Sequence, residues 1–301
     1  MAMSRRGDVA LGQFVSARAE GEFRATYDAL CAQRWPTPPR QLEVATRFGP
    51  TCVSHWPASG TPIVLLHGSG STSLLWHRIV EGLIGRPVYA VDTIGEAGRS
   101  IQRAPVRDQR DLATWLDEVL DGLDLDRVHL AGASYGGWLA LNQALRSPRR
   151  LTTITLVEPG GFEKVSPRLF LWAIACGLAA IAPGPIRRWA ARRLRMGALD
   201  DPEMRRLAML SQSRYRPRLP RVAVLSDDEL RSITTPALLL LGERSELHRS
   251  RRVLARARAL MPALEAEIVP GAGHTLPFDQ AGVVTDRIRG YLASTAVRDS
   301  P

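Results

Sequence analysis

His129-Leu130-Ala131-Gly132-Ala133-Ser134-Tyr135-Gly136-Gly137-Trp138 decides how this chain folds. An apolar run over residues 128–131 breaks into Gly132-Ala133-Ser134-Tyr135-Gly136, and apolar residues at helical spacing follow from 138 to 145. The pentapeptide fits G-x-S-x-G, which needs a strand, a sharp turn and a helix around it. Such a turn forces Ser134 into a strained backbone conformation with its hydroxyl projecting above the sheet. A Cβ at Gly132 or Gly136 would collide across the turn. The helix beginning at Tyr135 aims unpaired N–H groups at the same spot. The plain alternative is a glycine-rich turn with a solvated serine, and the flanking pattern weighs against it.

Outward from this turn, strands and helices alternate. Residues 63–66 are a continuous apolar run, as expected of a strand buried on both faces, and end in His67-Gly68-Ser69-Gly70-Ser71. Residues 88–91 close on Asp92, 151–157 on Glu158, 236–241 on Gly242-Glu243-Arg244-Ser245-Glu246, and 266–269 on Pro270-Gly271-Ala272-Gly273-His274. Helical patterns occupy 71–83, 111–123, 253–261 and 283–292. The implied fold class is α/β, a doubly wound, mostly parallel sheet with ligands at the carboxyl ends of its strands. Segments 41–48 and 51–56 read as a strand pair at the sheet edge. Residues 1–40 read as an N-terminal helical arm on the surface, with a helix over 18–33. Residues 41–161 and 233–301 form the core.

Residues 162–232 interrupt the rhythm with helical content and read as a cap above the site, with one strand-like run at 222–225. Residues 169–181 are apolar all round. A buried cap helix is the preferred reading, and a surface touching lipid or an apolar substrate is the sharper one. Residues 163–221 carry thirteen basic side chains against four acidic ones, nearly the whole net charge of +10. A solvated helical face explains this, and attraction of an anionic substrate, carrier or membrane surface is the functional alternative. Nucleic acid is not expected, because no aromatic interleaving accompanies the arginines.

The chain has 301 residues and 45% hydrophobic content, enough for one α/β domain with an insertion. Cys31, Cys52 and Cys176 form no C-x-x-C pair, so neither a disulfide framework nor a zinc site is indicated, and no cofactor is called for. Ser4-Arg5-Arg6 would suit a twin-arginine signal, but the apolar stretch after it is short and interrupted. A cytoplasmic location is expected. The oligomeric state is not readable.

Serine needs an adjacent base to attack at neutral pH. Of six histidines, His274 sits in a glycine-rich loop after the last strand, from which an imidazole reaches back over Ser134. His248 is a distant second choice. His129 should point into the sheet packing, His67 heads a turn, and His55 and His77 lack a local signature.

His67-Gly68, Gly132-x-Ser134-x-Gly136-Gly137 and Gly271-Ala272-Gly273-His274, in that order, resemble the α/β-hydrolase superfamily. Asp228-Glu229-Leu230-Arg231-Ser232, Leu238-Leu239-Leu240-Leu241-Gly242-Glu243 and Leu264-Glu265-Ala266-Glu267-Ile268 are similar to a bacterial carboxylesterase subgroup that cleaves aryl-propionate (naproxen-type) esters. So are Thr46-Arg47-Phe48-Gly49 and Tyr89-Ala90-Val91-Asp92. The resemblance covers roughly residues 23–292 and is weakest in the cap. It implies an α/β-hydrolase fold, Ser134 as nucleophile, His274 as general base, and the N–H groups of Ser69 and Tyr135 as the oxyanion hole, with Gly70 a substitute for Ser69. The acid departs from the pattern. Where the subgroup keeps a glutamate, three residues after the strand-end glycine, this chain has Ser245. Glu158, at the end of the preceding strand, is the preferred acid, Glu246 is the alternative, and a missing acid is the third option. Asp92 and Glu243 read as structural.

The leading expectation is a serine hydrolase acting on an ester or thioester of an apolar acyl group, carrier- or CoA-bound substrates included, through an acyl-enzyme. A cyclase or acyltransferase at the same site, a non-hydrolytic binder, and a lyase or cofactor-free oxygenase are the competing classes.

Overall fold

The computed structural model describes residues 11–298. The twin-arginine stretch lies outside them. An eight-stranded sheet forms the centre: β1 (Arg40–Val44), β2 (Thr51–Trp56), β3 (Ile63–Leu66), β4 (Val88–Val91), β5 (Val128–Ala133), β6 (Leu151–Val157), β7 (Ala237–Gly242) and β8 (Leu264–Val269). Its order is β8-β7-β6-β5-β3-β4-β2-β1. Six neighbours from β8 to β4 pair in parallel, and β2 and β1 join antiparallel at the edge.

Alternation in the strands divides the core. Val64, Leu66, Leu239 and Leu241 face one layer, with Trp115, Leu116, Trp138, Leu141 and Val253. Ile63, Leu65, Leu238 and Leu240 face the other, with Phe23, Leu30, Ile79, Val284 and Ile288. Helices α2 (Gln109–Gly122), α3 (Tyr135–Arg146) and α8 (Ser250–Leu260) therefore cover the first face. Helices α1 (Ala17–Arg34) and α9 (Ala281–Arg298) cover the second. The cap contributes α4 (Pro167–Ala180), α5 (Gly184–Leu194), α6 (Pro202–Arg214) and α7 (Asp227–Ser232). No helix among the described residues is long and apolar enough to cross a membrane.

Four expectations need correction. The segment 71–83 is not one helix but three short turns, Ser73–Trp76, His77–Val80 and Glu81–Leu83. Residues 222–225 form no strand. They run as irregular chain held by side chains, with Trp138 Nε1 donating to Ala223 O at 3.0 Å and an Arg256 Nη donating to Leu225 O at 2.7 Å. The N-terminal helix is no surface arm: Phe23, Tyr27 and Leu30 are buried, and Tyr27 Oη donates to Asp92 Oδ1 at 2.9 Å. Finally, α4 is not buried. Cys176 and Ala179 face the cap interior, while Phe170, Leu171, Ile174 and Leu178 lie exposed. All-round hydrophobicity in sequence signals burial only when other elements exist to cover every face.

Candidate active site

Ser134 sits between β5 and α3 with φ 52° and ψ −110°. This left-handed conformation, unusual for a residue with a side chain, turns the chain from strand to helix in one step. The turn is held by Ser134 N donating to Val157 O at 3.0 Å and Gly160 N donating to Ser134 O at 3.2 Å. A Cβ on Gly132 would fall on the carbonyl of Gly136, and one on Gly136 would fall on that of Leu66. The second glycine therefore clears the neighbouring strand rather than its own turn. The Tyr135 N–H lies in the first turn of α3, where a helix has no carbonyl to accept it.

The loop after β3 runs directly over the serine: a Cβ on Gly68 would stand 3.2 Å from Ser134 Cβ. His67 holds the loop from inside. Its Nε2 accepts from Thr93 N at 3.0 Å and its Nδ1 donates to Gly68 O at 2.8 Å. No sequence pattern points to the next partner. Glu96, buried in a segment without a local pattern, accepts from Ser69 Oγ at 2.6 Å and from Gly70 N at 3.0 Å. Burial raises the Glu96 carboxyl above its ordinary range, against those two hydrogen bonds. The Gly70 N–H is thus already engaged, so Gly70 is a poor substitute for Ser69.

Glu158 stands at the end of β6, next to Ser134 across the sheet, and also has a left-handed backbone at φ 50°. It is fully buried. Oε1 accepts from Gly242 N at 2.5 Å, and Oε2 accepts from the Ser245 hydroxyl and from His274 Nδ1, the latter at 3.2 Å. Burial alone would push this carboxyl up. The hydrogen bond from His274, the charges of His248 and His274 and the Ser245 hydroxyl outweigh it and hold the carboxyl below its ordinary range. Ser245, which fills the position expected to carry the acid, is therefore a hydrogen-bond donor to Glu158.

Glu246 faces elsewhere. Its Oε2 accepts from the backbone N–H of His274 at 3.0 Å, and Oε1 lies 3.6 Å from Arg195. His248 is buried, with Nε2 4.0 Å from Glu158 Oε1, and burial lowers its pKa. The remaining histidines are engaged elsewhere in the scaffold. His129 bonds Thr153 Oγ1 at 2.9 Å, His77 bonds Leu74 O at 2.9 Å, and His55 stacks on Tyr89. Asp92 accepts from Ser73 N and Arg99 N, and Glu243 from Gly271 N, all contacts within the scaffold. Among the described residues no group of three or more His, Cys, Asp or Glu side chains could hold a metal ion.

The cap closes over the imidazole. Trp172 of α4 stands edge-on to His274 with centroids 6.4 Å apart, and Arg195 O accepts from Thr275 Oγ1 at 2.5 Å. Between α4 and α6 lies a cavity of about 250 Å³, with Cys176, Leu199 and Met209 among its lining. Ser134 is not part of that lining. The link is Gln212, a lining residue 3.7 Å from a Cβ position on Gly70, and its neighbour Ser211, whose hydroxyl donates to Gly70 O at 3.1 Å.

A strained serine and a histidine bonded to a buried glutamate thus share one end of a mostly parallel sheet. The alpha/beta hydrolase family matches residues 63–287. The chain belongs to that family. Among its relatives, the carboxylesterase YbfK of Bacillus subtilis is 30% identical over 93% of this chain and 96% of its own length. An uncharacterized carboxylesterase, nap, of the same organism is 30% identical over 87% of this chain and 90% of its own. The crystal structure of the Bacillus subtilis naproxen esterase (carboxylesterase NP) superposes with a TM-score of 0.80 at 26% identity, over 92% of this chain and 99% of that one. Family membership and fold agree with the reading from the elbow and its flanking strands.

Proposed function

We propose that the protein is a serine carboxylesterase that releases an apolar carboxylic acid through an acyl-enzyme on Ser134. The observation that carries this reading is the hydrogen bond from His274 Nδ1 to the buried Glu158 carboxylate, at the same sheet end as the strained Ser134. With Nδ1 occupied, the imidazole presents Nε2 as the base that takes the serine proton. The positive charge that then forms on the ring is stabilised by Glu158, and the carboxylate fixes the tautomer. The developing oxyanion is met by the N–H groups of Tyr135 and Ser69, each worth about 10²–10³ in rate by analogy with other hydrolases. His274 returns the proton to the leaving alcohol, and water follows the same route to release the acid.

The acyl group belongs in the cavity between α4 and α6. Its small volume and mainly apolar lining, with Cys176, Leu199 and Met209 beside the polar Arg205, Gln212 and Ser213, suit a short or compact apolar acid better than a long chain. The two carboxylesterases that align over most of the chain support ester rather than thioester cleavage.

The test is active-site labelling with a fluorophosphonate, together with turnover of p-nitrophenyl esters of graded acyl length. Wild type should label and hydrolyse, with a preference for small apolar acyl groups, and Ser134→Ala should do neither. An unlabelled wild type that hydrolyses no member of the ester series would reject the reading.

A further inference from the structure

We infer that the α4–α5 hairpin of the cap is a docking surface for an anionic lipid bilayer. Phe170, Leu171, Ile174 and Leu178 recur at three- and four-residue spacing and form one stripe on α4. Ile181 stands in the turn, and Ile186 and Trp189 continue on α5. Each of the seven is between 56% and 72% exposed. Among the described residues nothing covers them. The opposite faces of the two helices are used inside the cap, where Cys176, Ala179, Ala190, Ala191 and Leu199 pack together. Exposed apolar surface concentrated in this way marks an interaction site.

Charge selects the occupant. From residue 167 to 195 the chain carries six arginines and no acidic residue. Arg188, Arg192 and Arg193 are exposed on α5 beside the apolar side chains. A second copy pairing through this hairpin would bring twelve like charges together without a counter-charge. An anionic bilayer offers both what the apolar stripe and what the arginines require. Tryptophan at the interface level, apolar side chains below it and arginines among the headgroups are the arrangement of a helix lying on a membrane. The 14 residues of α4 span only about 21 Å, shorter than the roughly 30 Å hydrocarbon core, so the hairpin lies on the surface rather than crossing it.

The experiment is sedimentation of the full chain with vesicles of phosphatidylcholine alone, or of phosphatidylcholine and phosphatidylglycerol in equal parts. The expected result is binding to the mixed vesicles only. Leu171→Ser/Leu178→Ser and, separately, Arg188→Gln/Arg192→Gln should each weaken binding at least about tenfold. Trp189 emission, isolated as the difference from Trp189→Phe, should shift to the blue on binding. Three outcomes overturn the inference. The wild type stays in the supernatant. The Leu171→Ser/Leu178→Ser variant binds as wild type, which shows plain charge adsorption. Or the protein forms a lipid-free dimer that the serine variant dissociates, and binds no vesicle. Ser134→Ala should bind as wild type, and the surface variants should retain turnover of a soluble ester. Failure of docking and failure of the esterase reading are thereby separate results.

Discussion

A carboxylate with no exposed surface needs its oxygens answered by donors, and Glu158 receives three, from Gly242, Ser245 and His274. Exchange to glutamine puts an amide N–H toward one of these donors and removes the charge that, on the proposed mechanism, stabilises the imidazolium. Glu158→Gln should therefore lose on the order of 10²–10⁴ in kcat on p-nitrophenyl esters. Glu246→Gln keeps a carbonyl to accept the His274 backbone N–H, and should lose less than about tenfold. Equal losses in the two variants would count against Glu158 as the acid. The same carboxyl links stability to pH. Its folded value lies below the ordinary 4.5, so in the window beneath that value the unfolded chain binds more protons than the folded one. Its stabilising contribution is complete above the unfolded value and is lost as pH falls through the folded one. Urea unfolding followed from about pH 5 downward should show a steeper loss in wild type than in Glu158→Gln.

At the scale of elements, the elbow is the least forgiving place in the fold. A Cβ at position 132 meets backbone on the far side of the turn, which has no soft neighbour to yield. Gly132→Ala should cost on the order of 4 kcal/mol or leave no soluble protein. Gly21→Ala, inside α1 with nothing within 4 Å of the new carbon, should be stabilising by up to about 1 kcal/mol; thermal unfolding compares the two. This contrast also marks what could be read in advance. Strands such as Ile63–Leu66 and Ala237–Gly242 announce themselves because burial on both faces demands unbroken apolar runs, and Ser134 and His274 because their loops are glycine-rich for steric reasons. Sequence favours Glu158 over Glu246 only by its place at a strand end, since the choice depends on which way two side chains point across neighbouring strands. Ser245 and Glu96 carry no local pattern, because their partners are far away in sequence. The outward face of α4 was misjudged because an apolar sequence does not say whether anything lies above it.

Over the whole molecule, the N-terminal helix is the piece whose position sequence periodicity described least well. It packs into the core through Phe23, Tyr27 and Leu30 and also grips the cap. Arg34 pairs with Asp201 and Glu203 at 3.1 Å, and Arg206 with Glu22 at 3.1 Å. A chain shortened to begin at residue 37 should expose that buried face and be recovered insoluble, whereas a dispensable arm would leave its circular dichroism and melting temperature unchanged.

The short antiparallel pairing of Gln13–Phe14 with Tyr215–Arg216 adds a second fastening, at the far end of α6. With α6 stitched to the body at both ends, that part of the cap is no hinged door. On the proposed esterase reading, passage of ester in and acid out is then left to the α4–α5 side. On that reading the passage and the apolar outer wall are the same pair of helices, and whatever that wall rests against governs how freely the passage opens.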